Sequence, residues 1–180
     1  MSIGLIIIIL VAMWGVSTYN SLIILRGRVD NSWAQIDVQL KRRFDLIPNL
    51  VISVKGYAQH EKETLEEVTA SRTKYLSAKT PEDKLGANSE LSGALSRLFA
   101  VAENYPDLKA STNFLDLQTQ LKDTEDKIGY SRQFYNDTAM KFNIAIVKVP
   151  TSIIAGLFGF KDRPYFKTEG EERENVEVKF

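Results

Sequence analysis

The amino-terminal segment between Ser2 and Leu25 contains no side chain that is charged at neutral pH. Its most apolar part, Ile3 to Val16, would rise about 21 Å as a helix, whereas the hydrocarbon core of a bilayer is roughly 30 Å thick. We therefore predict a transmembrane helix that also uses the apolar residues just before Arg26. The residues expected to span the membrane are Ile3, Leu5, Ile8, Val11, Trp14, Tyr19, Asn20, Leu22 and Leu25.

The charges that flank this segment predict its orientation. Arg26 and Arg28 follow it directly, and no basic residue precedes it. Because basic residues favour the cytoplasmic side of a membrane helix, we predict an external N-terminus and a cytoplasmic body. A cleaved signal peptide is the alternative, but the segment has neither a basic beginning nor an Ala-x-Ala cleavage site.

Asn20 is an amide inside the predicted span. An amide at membrane depth is costly unless it forms a hydrogen bond, and a neighbouring helix can supply the partner. We therefore hypothesise that the anchor self-associates through the face that carries Asn20.

The composition of the whole chain excludes several classes of function. It contains 23 basic and 23 acidic residues, so its formal net charge is zero and no global field attracts nucleic acid. The absence of cysteine excludes disulfides, thiol nucleophiles and thiolate metal sites. His60, the only histidine, lacks the second histidine of a zinc-protease helix. We expect no cofactor and no metal.

Beyond the anchor, apolar residues recur at helical spacings. The first stripe consists of Val29, Trp33, Ile36, Leu40, Ile47, Val54 and Val68. It predicts one long helix from about Leu22 to Leu76. Pro48 lies inside this helix and cannot donate a hydrogen bond to the Phe44 carbonyl, so either a kink or a break is expected near Pro48.

Two further long helices follow. Thr80 as N-cap, Pro81 at the first position and acidic residues in the first turn predict the start of one helix, and the turn at residues 104–107 predicts its end. A seam at steps of seven predicts the last helix. The seam residues are Phe114, Leu121, Ile128, Tyr135, Phe142 and Val149.

These patterns predict an all-α fold: a transmembrane helix followed by an elongated antiparallel helical bundle. The bundle has three long helices, or four if the first breaks at Pro48. The predicted regions are an anchor over 1–25, a bundle over 26–150, an apolar docking segment over 151–166 and an acidic flexible tail over 167–180. The docking segment is too short to span a bilayer.

Six polar residues stand out in the two longest helices. They are Arg43, Asp45 and Asn49 in the first, and Glu125, Arg132 and Asn136 in the last. Charged groups are retained inside a bundle when they are paired, so we predict interhelical ion pairs and amide hydrogen bonds that fix the register. The sequence shows no accompanying nucleophile or metal set that would indicate catalysis.

Two blocks of sequence resemble the LemA family. The first comprises Tyr19-Asn20-Ser21-Leu22, the run from Val29 to Val51, Val54-Lys55-Gly56-Tyr57-Ala58 and His60-Glu61. The second comprises Glu125, Ile128, Arg132, Tyr135-Asn136, Phe142-Asn143, Pro150 and the run from Ala155 to Phe160. The resemblance implies a bacterial protein with an N-terminal transmembrane helix and a helical bundle, and it implies no particular reaction.

We therefore expect a single-pass protein of the bacterial inner (cytoplasmic) membrane that serves as a helical scaffold or interaction protein without catalytic activity. Its expected partners are membrane lipid, further copies of itself in a homo-oligomer, and membrane or cytoplasmic proteins. One alternative is a signal-transmitting module in which the angle at Pro48 changes. Another is a hydrolase with a site around Asp45, Asn49 and Glu125.

Overall fold

The computed structural model describes residues 3–58 and 61–166, and within these ranges the chain forms helices and no strand. The helices are α1 (Ile3–Lys55), α2 (Lys62–Ser77), α3 (Pro81–Ala102), α4 (Pro106–Lys109), α5 (Thr112–Val147) and α6 (Thr151–Leu157). The all-helical prediction is confirmed, as is the long apolar helix at the amino terminus. His60 and the predicted tail at 167–180 lie outside the described residues.

The chain divides into two compact units. One contains residues 1–35 and 130–180, and the other contains residues 36–129. Both α1 and α5 contribute residues to each unit. We refer to residues 1–35 with 130–180 as the terminal unit and to residues 36–129 as the central unit.

The central unit is a helical bundle whose core consists of residues from the predicted stripes. Helices α2 and α3 run antiparallel, because Glu67 pairs with Arg97 and Lys74 pairs with Glu90, each at 2.6 Å. The large side chains buried in this core include Leu40, Phe44, Ile47, Leu50, Val68, Leu91, Leu98, Phe114, Leu121 and Ile128. Burial of these apolar surfaces supplies the main stabilising free energy of the unit.

The first long helix ends earlier than predicted. Helix α1 continues through Pro48 and ends at Lys55, so both the predicted end at Leu76 and the possible break at Pro48 are wrong. Pro48 is exposed, while Ile47 and Leu50 beside it are fully buried, so packing on the inner face holds the helix across the missing hydrogen bond. The break follows at Gly56, where glycine lowers the cost of leaving the helix.

The predicted start of α3 is confirmed. The Thr80 hydroxyl accepts a hydrogen bond from the Asp83 amide at 3.1 Å, and Pro81 occupies the first helical position. The predicted seam of α5 is buried from Phe114 through Phe142. Val149 is an exception, since α5 ends at Val147 and leaves Val149 exposed.

In the terminal unit, the chain that follows α6 packs against both α1 and α5. Helix α6 ends in a Schellman motif: the Phe160 amide bonds the Ala155 carbonyl at 2.9 Å, and the Gly159 amide bonds the Gly156 carbonyl at 3.3 Å. Gly159 has a φ of 67°, which favours glycine. After this cap, residues 158–166 form a non-helical segment that we call the strap.

Candidate functional site

The amino-terminal part of α1 presents an apolar surface that the rest of the chain does not cover. Every residue from 3 to 14 is exposed. Among the described residues, α1 is long and apolar enough to cross a membrane, whereas α5 and α6 reach that criterion only together, across a bend of 93°. Burying this surface in lipid or against another helix is therefore strongly favourable.

The residues predicted to span the membrane fall into two groups in the structure. Ile3, Leu5, Ile8, Val11, Trp14 and Asn20 are exposed. Tyr19 and Leu25 are half-buried, and Leu22 is buried. Tyr19 and Leu22 belong to one face of α1, which we define by Gly15, Tyr19, Leu22, Arg26, Val29 and Trp33. The terminal unit therefore begins to cover α1 well before Arg26.

The strap covers this face of α1 through aromatic contacts. Tyr19 lies 4.6 Å from the ring of Phe158 and 5.9 Å from the ring of Phe160. Trp33 lies 5.7 Å from the ring of Phe166. On the other side, Phe160 and Phe166 contact rings of α5, at Phe142 and Tyr135 respectively. The strap therefore lies in a groove between α1 and α5, which run antiparallel in this unit.

Two asparagines of α5 hold the strap by its backbone. The Asn143 side chain donates to the Arg163 carbonyl and accepts from the Arg163 amide, both at 2.8 Å. The Asn136 side chain makes the same pair of bonds with Phe166, both at 2.9 Å. Each amide thus satisfies both backbone groups of one strap residue, as a neighbouring β-strand would.

Charged groups also fix the strap on α1. Arg163 forms an ion pair with Asp30 at 2.9 Å, and both side chains are partly exposed. The Arg26 guanidinium lies 5.7 Å from the centre of the Phe160 ring, within the range of a cation–π interaction. The predicted topology residue Arg26 therefore also contacts protein, although both Arg26 and Arg28 are exposed.

A buried polar cluster lies in the central unit. Arg43 of α1, which is only 3% exposed, donates to Asn88 at 2.5 Å and to Ser92 at 3.1 Å, both on α3, and forms an ion pair with Glu125 of α5. The Ser92 hydroxyl also donates to Glu125 at 3.3 Å. Burial lowers the pKa of Arg43, and Glu125 opposes this shift by stabilising the charged form.

The other predicted polar residues lie elsewhere. Asp45 and Asn49 are exposed, because they follow Arg43 by two and six positions and therefore point about 200° and 240° away from it around α1. Asn136 bonds the strap instead of another helix. Arg132 is half-buried in the terminal unit. The structure therefore brings Arg43 and Glu125 together and does not place Asp45 or Asn49 beside them.

The central unit also contains an open groove of about 660 Å³ next to the break between α1 and α2. Its lining residues are Val51, Lys55, Ala58, Lys62, Leu65, Glu66, Thr69, Ala70 and Thr73. Asp45, Asn49 and Glu125, the residues of the hydrolase hypothesis, are not among them. This groove therefore does not bring the three residues together.

Comparison with known protein families identifies the chain. The model of the LemA family matches residues 32–180, which is most of the described body and excludes the most apolar part of the anchor. The chain belongs to the LemA family. The LemA match includes both asparagines that hold the strap and the complete Arg43 cluster.

Curated bacterial relatives agree with this assignment. The LemA protein of Metamycoplasma hominis is 29% identical over 163 residues, which cover 88% of this chain and 73% of that protein. Magnetosome protein MamQ 2 of Paramagnetospirillum magneticum is 27% identical, over 83% of this chain and 64% of that protein. Magnetosome protein MamQ of Magnetospirillum gryphiswaldense is 38% identical over 46% of this chain and 30% of that protein. The chain thus spans about one to two thirds of the MamQ proteins.

Sequence reasoning missed the roles of three residues in the strap contacts and the Arg43 cluster. Asn143 follows Asn136 by seven positions, and this spacing places both amides on one face of α5. Asn88 and Ser92 lie one turn apart on α3, beside the buried Leu91 and Leu95. A polar residue within an apolar stripe was the signal that could have identified them.

Proposed function

We propose that this LemA-family protein is a membrane-anchored helical scaffold that self-associates, recruits protein partners and has no catalytic activity. The observation that carries the proposal is the apolar surface of residues 3–14, every one of which is exposed in the single chain. A surface of this kind requires lipid or another helix around it. The anchor therefore works by insertion into the inner membrane, with Arg26 and Arg28 on the cytoplasmic side.

The face of α1 opposite the strap supports self-association. Met13, Ser17, Asn20 and Ile24 recur there at steps of three and four, and all four are exposed. This face lies about 160° around the helix from the strap-covered face. Small and polar residues favour close helix packing in membranes, because they permit close approach and interhelical hydrogen bonds. Asn20 is the residue of this face with the greatest need of a partner.

An apolar stripe on α5 supports the recruitment of partners. It consists of Tyr130, Phe134, Met140, Ile144 and Val147, which are between 44% and 74% exposed. These residues lie on the side of the helix opposite the buried Tyr135 and Phe142. An exposed stripe of this size on a helix favours association with another helix.

The roles of the polar residues support a non-catalytic function. Arg43, Asn88 and Glu125 bond one another in the central unit, and Asn136 and Asn143 bond the strap. Groups that are engaged in this way stabilise a structure more readily than they bind a substrate. Asp45 and Asn49 would have to act from exposed positions on α1, whereas catalysis usually takes place in a concave pocket.

The experiment that tests this proposal compares oligomer size in nanodiscs for the intact chain and two variants. Asn20→Leu removes the amide of the proposed interface. Thr18→Val is the matched control, since it removes a polar group from the same span at a half-buried position away from that face. We expect the intact chain and the control to form one defined oligomer and Asn20→Leu to shift the population towards the monomer.

Two results would count against the proposal. If Asn20→Leu and Thr18→Val give the same oligomer, Asn20 does not form the interface. If the intact chain remains in the aqueous fraction without lipid or detergent and is monomeric there, the anchor itself is refuted.

A further inference from the structure

Helix α6 lies beside the apolar span of α1. A side chain added at Gly15 would meet the Ile154 side chain at 3.7 Å, and Tyr19 contacts Phe158 just after α6. Tyr19 precedes Arg26 by seven residues and Gly15 precedes it by eleven. At 1.5 Å per residue, these contacts lie about 10 to 16 Å from Arg26 towards the apolar end of α1.

The direction of α6 follows from its neighbours in the terminal unit. Helix α5 runs antiparallel beside α1, because Tyr19 and Phe142 share Phe160 while Trp33 and Tyr135 share Phe166. Helix α6 is bent by 93° from α5. It therefore crosses the axis of α1 instead of continuing along it, and an upright α1 places α6 parallel to the membrane surface.

The outer side of α6 is apolar and exposed. Ile153 is 66% exposed, Leu157 is 77% exposed and Phe158 is 57% exposed, while Ala155 on the inner side is buried. Val149, just before the helix, is also largely exposed. Side chains of this kind gain free energy when they enter the acyl region of a bilayer.

The charges around α6 complement an anionic membrane. The sequence from Thr138 to Lys161 contains Lys141, Lys148 and Lys161 and no acidic residue. Arg26 and Arg28 are the only charged residues of α1 before Asp30. A group of cations next to an apolar interfacial helix attracts anionic lipid headgroups.

We propose that α6 is a second membrane contact: it lies in the plane of the leaflet next to the soluble body, with Ile153, Leu157 and Phe158 among the acyl chains. Lys148 and Lys161 then contact anionic lipid phosphates at the surface of that leaflet. The occupant of this surface is the bilayer, since the surface is continuous with the apolar span of α1. The inference rests on the proposed membrane anchor.

The depth of α6 can be measured with the full chain in nanodiscs that contain phosphatidylglycerol and phosphatidylcholine. The chain has no cysteine, so Leu157→Cys introduces a single site for a nitroxide label. Ile8→Cys is the reference inside the span, and Asp116→Cys, at an exposed position of α5, is the aqueous reference. We expect the nitroxides at positions 157 and 8 to collide with molecular oxygen severalfold more often than with a water-soluble nickel chelate. The nitroxide at position 116 should show the reverse.

The outcomes separate the two proposals. If position 157 behaves like position 116 while position 8 is in lipid, the α6 proposal is overturned and the anchor stands. If position 8 is also aqueous, the anchor fails, and the α6 proposal fails with it. If position 157 is shielded from both reagents, a second copy covers α6, which also overturns the proposal.

A second measurement tests the headgroup contact. Energy transfer from a fluorophore at Leu157→Cys to labelled phosphatidylglycerol should exceed transfer to labelled phosphatidylcholine. We expect Lys148→Gln with Lys161→Gln to abolish this preference. Lys122→Gln with Lys127→Gln, at exposed positions of α5, is the matched control and should leave it unchanged. An equal preference in both double variants would refute the anionic contact.

Discussion

Asn136 and Asn143 lie seven residues apart on α5 and hold strap residues that are three apart, Phe166 and Arg163. Seven helical residues rise about 10.5 Å, and three extended residues span about 10 Å. The two spacings match, so both amides can engage the backbone without distorting either partner. The strap consequently runs antiparallel to α5, and its register is fixed independently of its side chains.

We expect Asn136→Ala with Asn143→Ala to loosen the strap. Four hydrogen bonds are removed, each with a net contribution of about 1 kcal/mol. Hydrogen exchange of the amides of residues 160–166 should accelerate strongly, while exchange in α2 and α3 should not change. Asn104→Ala, at an exposed position in the turn after α3, is the control. Equal exchange in both proteins would show that the aromatic contacts alone hold the strap.

We expect Glu125→Gln to destabilise the central unit. The substitution leaves the buried Arg43 without a compensating charge. The free energy of unfolding should fall by about 2 kcal/mol, a value limited by the partial exposure of Glu125. Glu90→Gln removes the exposed pair with Lys74 and should cost less than about 1 kcal/mol. Urea unfolding of the full chain in detergent measures both values. Similar losses in the two variants would refute the special role of the cluster.

The raised pKa of Tyr75 predicts that the free energy of unfolding falls at high pH. Burial, with the negative charges of Asp37 and Asp45, raises the pKa of Tyr75 to about 12, whereas an unfolded tyrosine has a pKa of about 10. Because the fold favours the neutral phenol, Tyr75 contributes to the free energy of unfolding. This contribution is fully present below about pH 10 and is lost as the pH rises through about 12.

Tyr75→Phe tests this prediction, since phenylalanine keeps the stacked contact with Phe44 at 4.1 Å. The variant should lose less stability than the intact chain between pH 9 and pH 12, measured by thermal unfolding in detergent. Tyr130→Phe, at an exposed site, should retain the pH dependence of the intact chain. Identical curves for all three proteins would contradict the assignment.

Gly159 and Gly156 form a natural pair for testing the cap of α6. A Cβ at either position meets no atom within 4 Å, so only the backbone conformation distinguishes them. Gly159→Ala should cost about 1 to 2 kcal/mol, because its φ is positive. Gly156→Ala lies within the helix and should stabilise it by roughly 0.5 to 1 kcal/mol. The midpoint temperature of thermal unfolding should thus fall for Gly159→Ala and rise for Gly156→Ala. A change in the same direction for both variants would refute the argument.

Repeating local patterns were sufficient to predict much of this fold. The seam from Phe114 to Phe142 is buried because a step of seven residues returns to the same side of a helix. Thr80 caps α3 because a hydroxyl at that position reaches the free amides of the first turn. The prediction of a long apolar helix at the amino terminus likewise depended on contiguous residues.

Positions that depend on distant partners could not be predicted in this way. The sequence showed that Pro48 lacks a hydrogen bond, but packing at Ile47 and Leu50 decided that α1 continues and ends near Gly56 instead. Neither the partner of Asn143 nor the polar cluster on α3 follows from local spacing.

The amino-acid sequence by itself determined that the chain is helical, which sides of the helices are apolar and which segment is apolar enough to cross a membrane, because these properties arise from neighbours along the chain. Tertiary structure alone decided that Arg43 meets Glu125 and that Asn136 and Asn143 hold an extended strap. Such contacts join residues far apart in sequence, and their free energy is gained only after the helices have packed and brought the partners together.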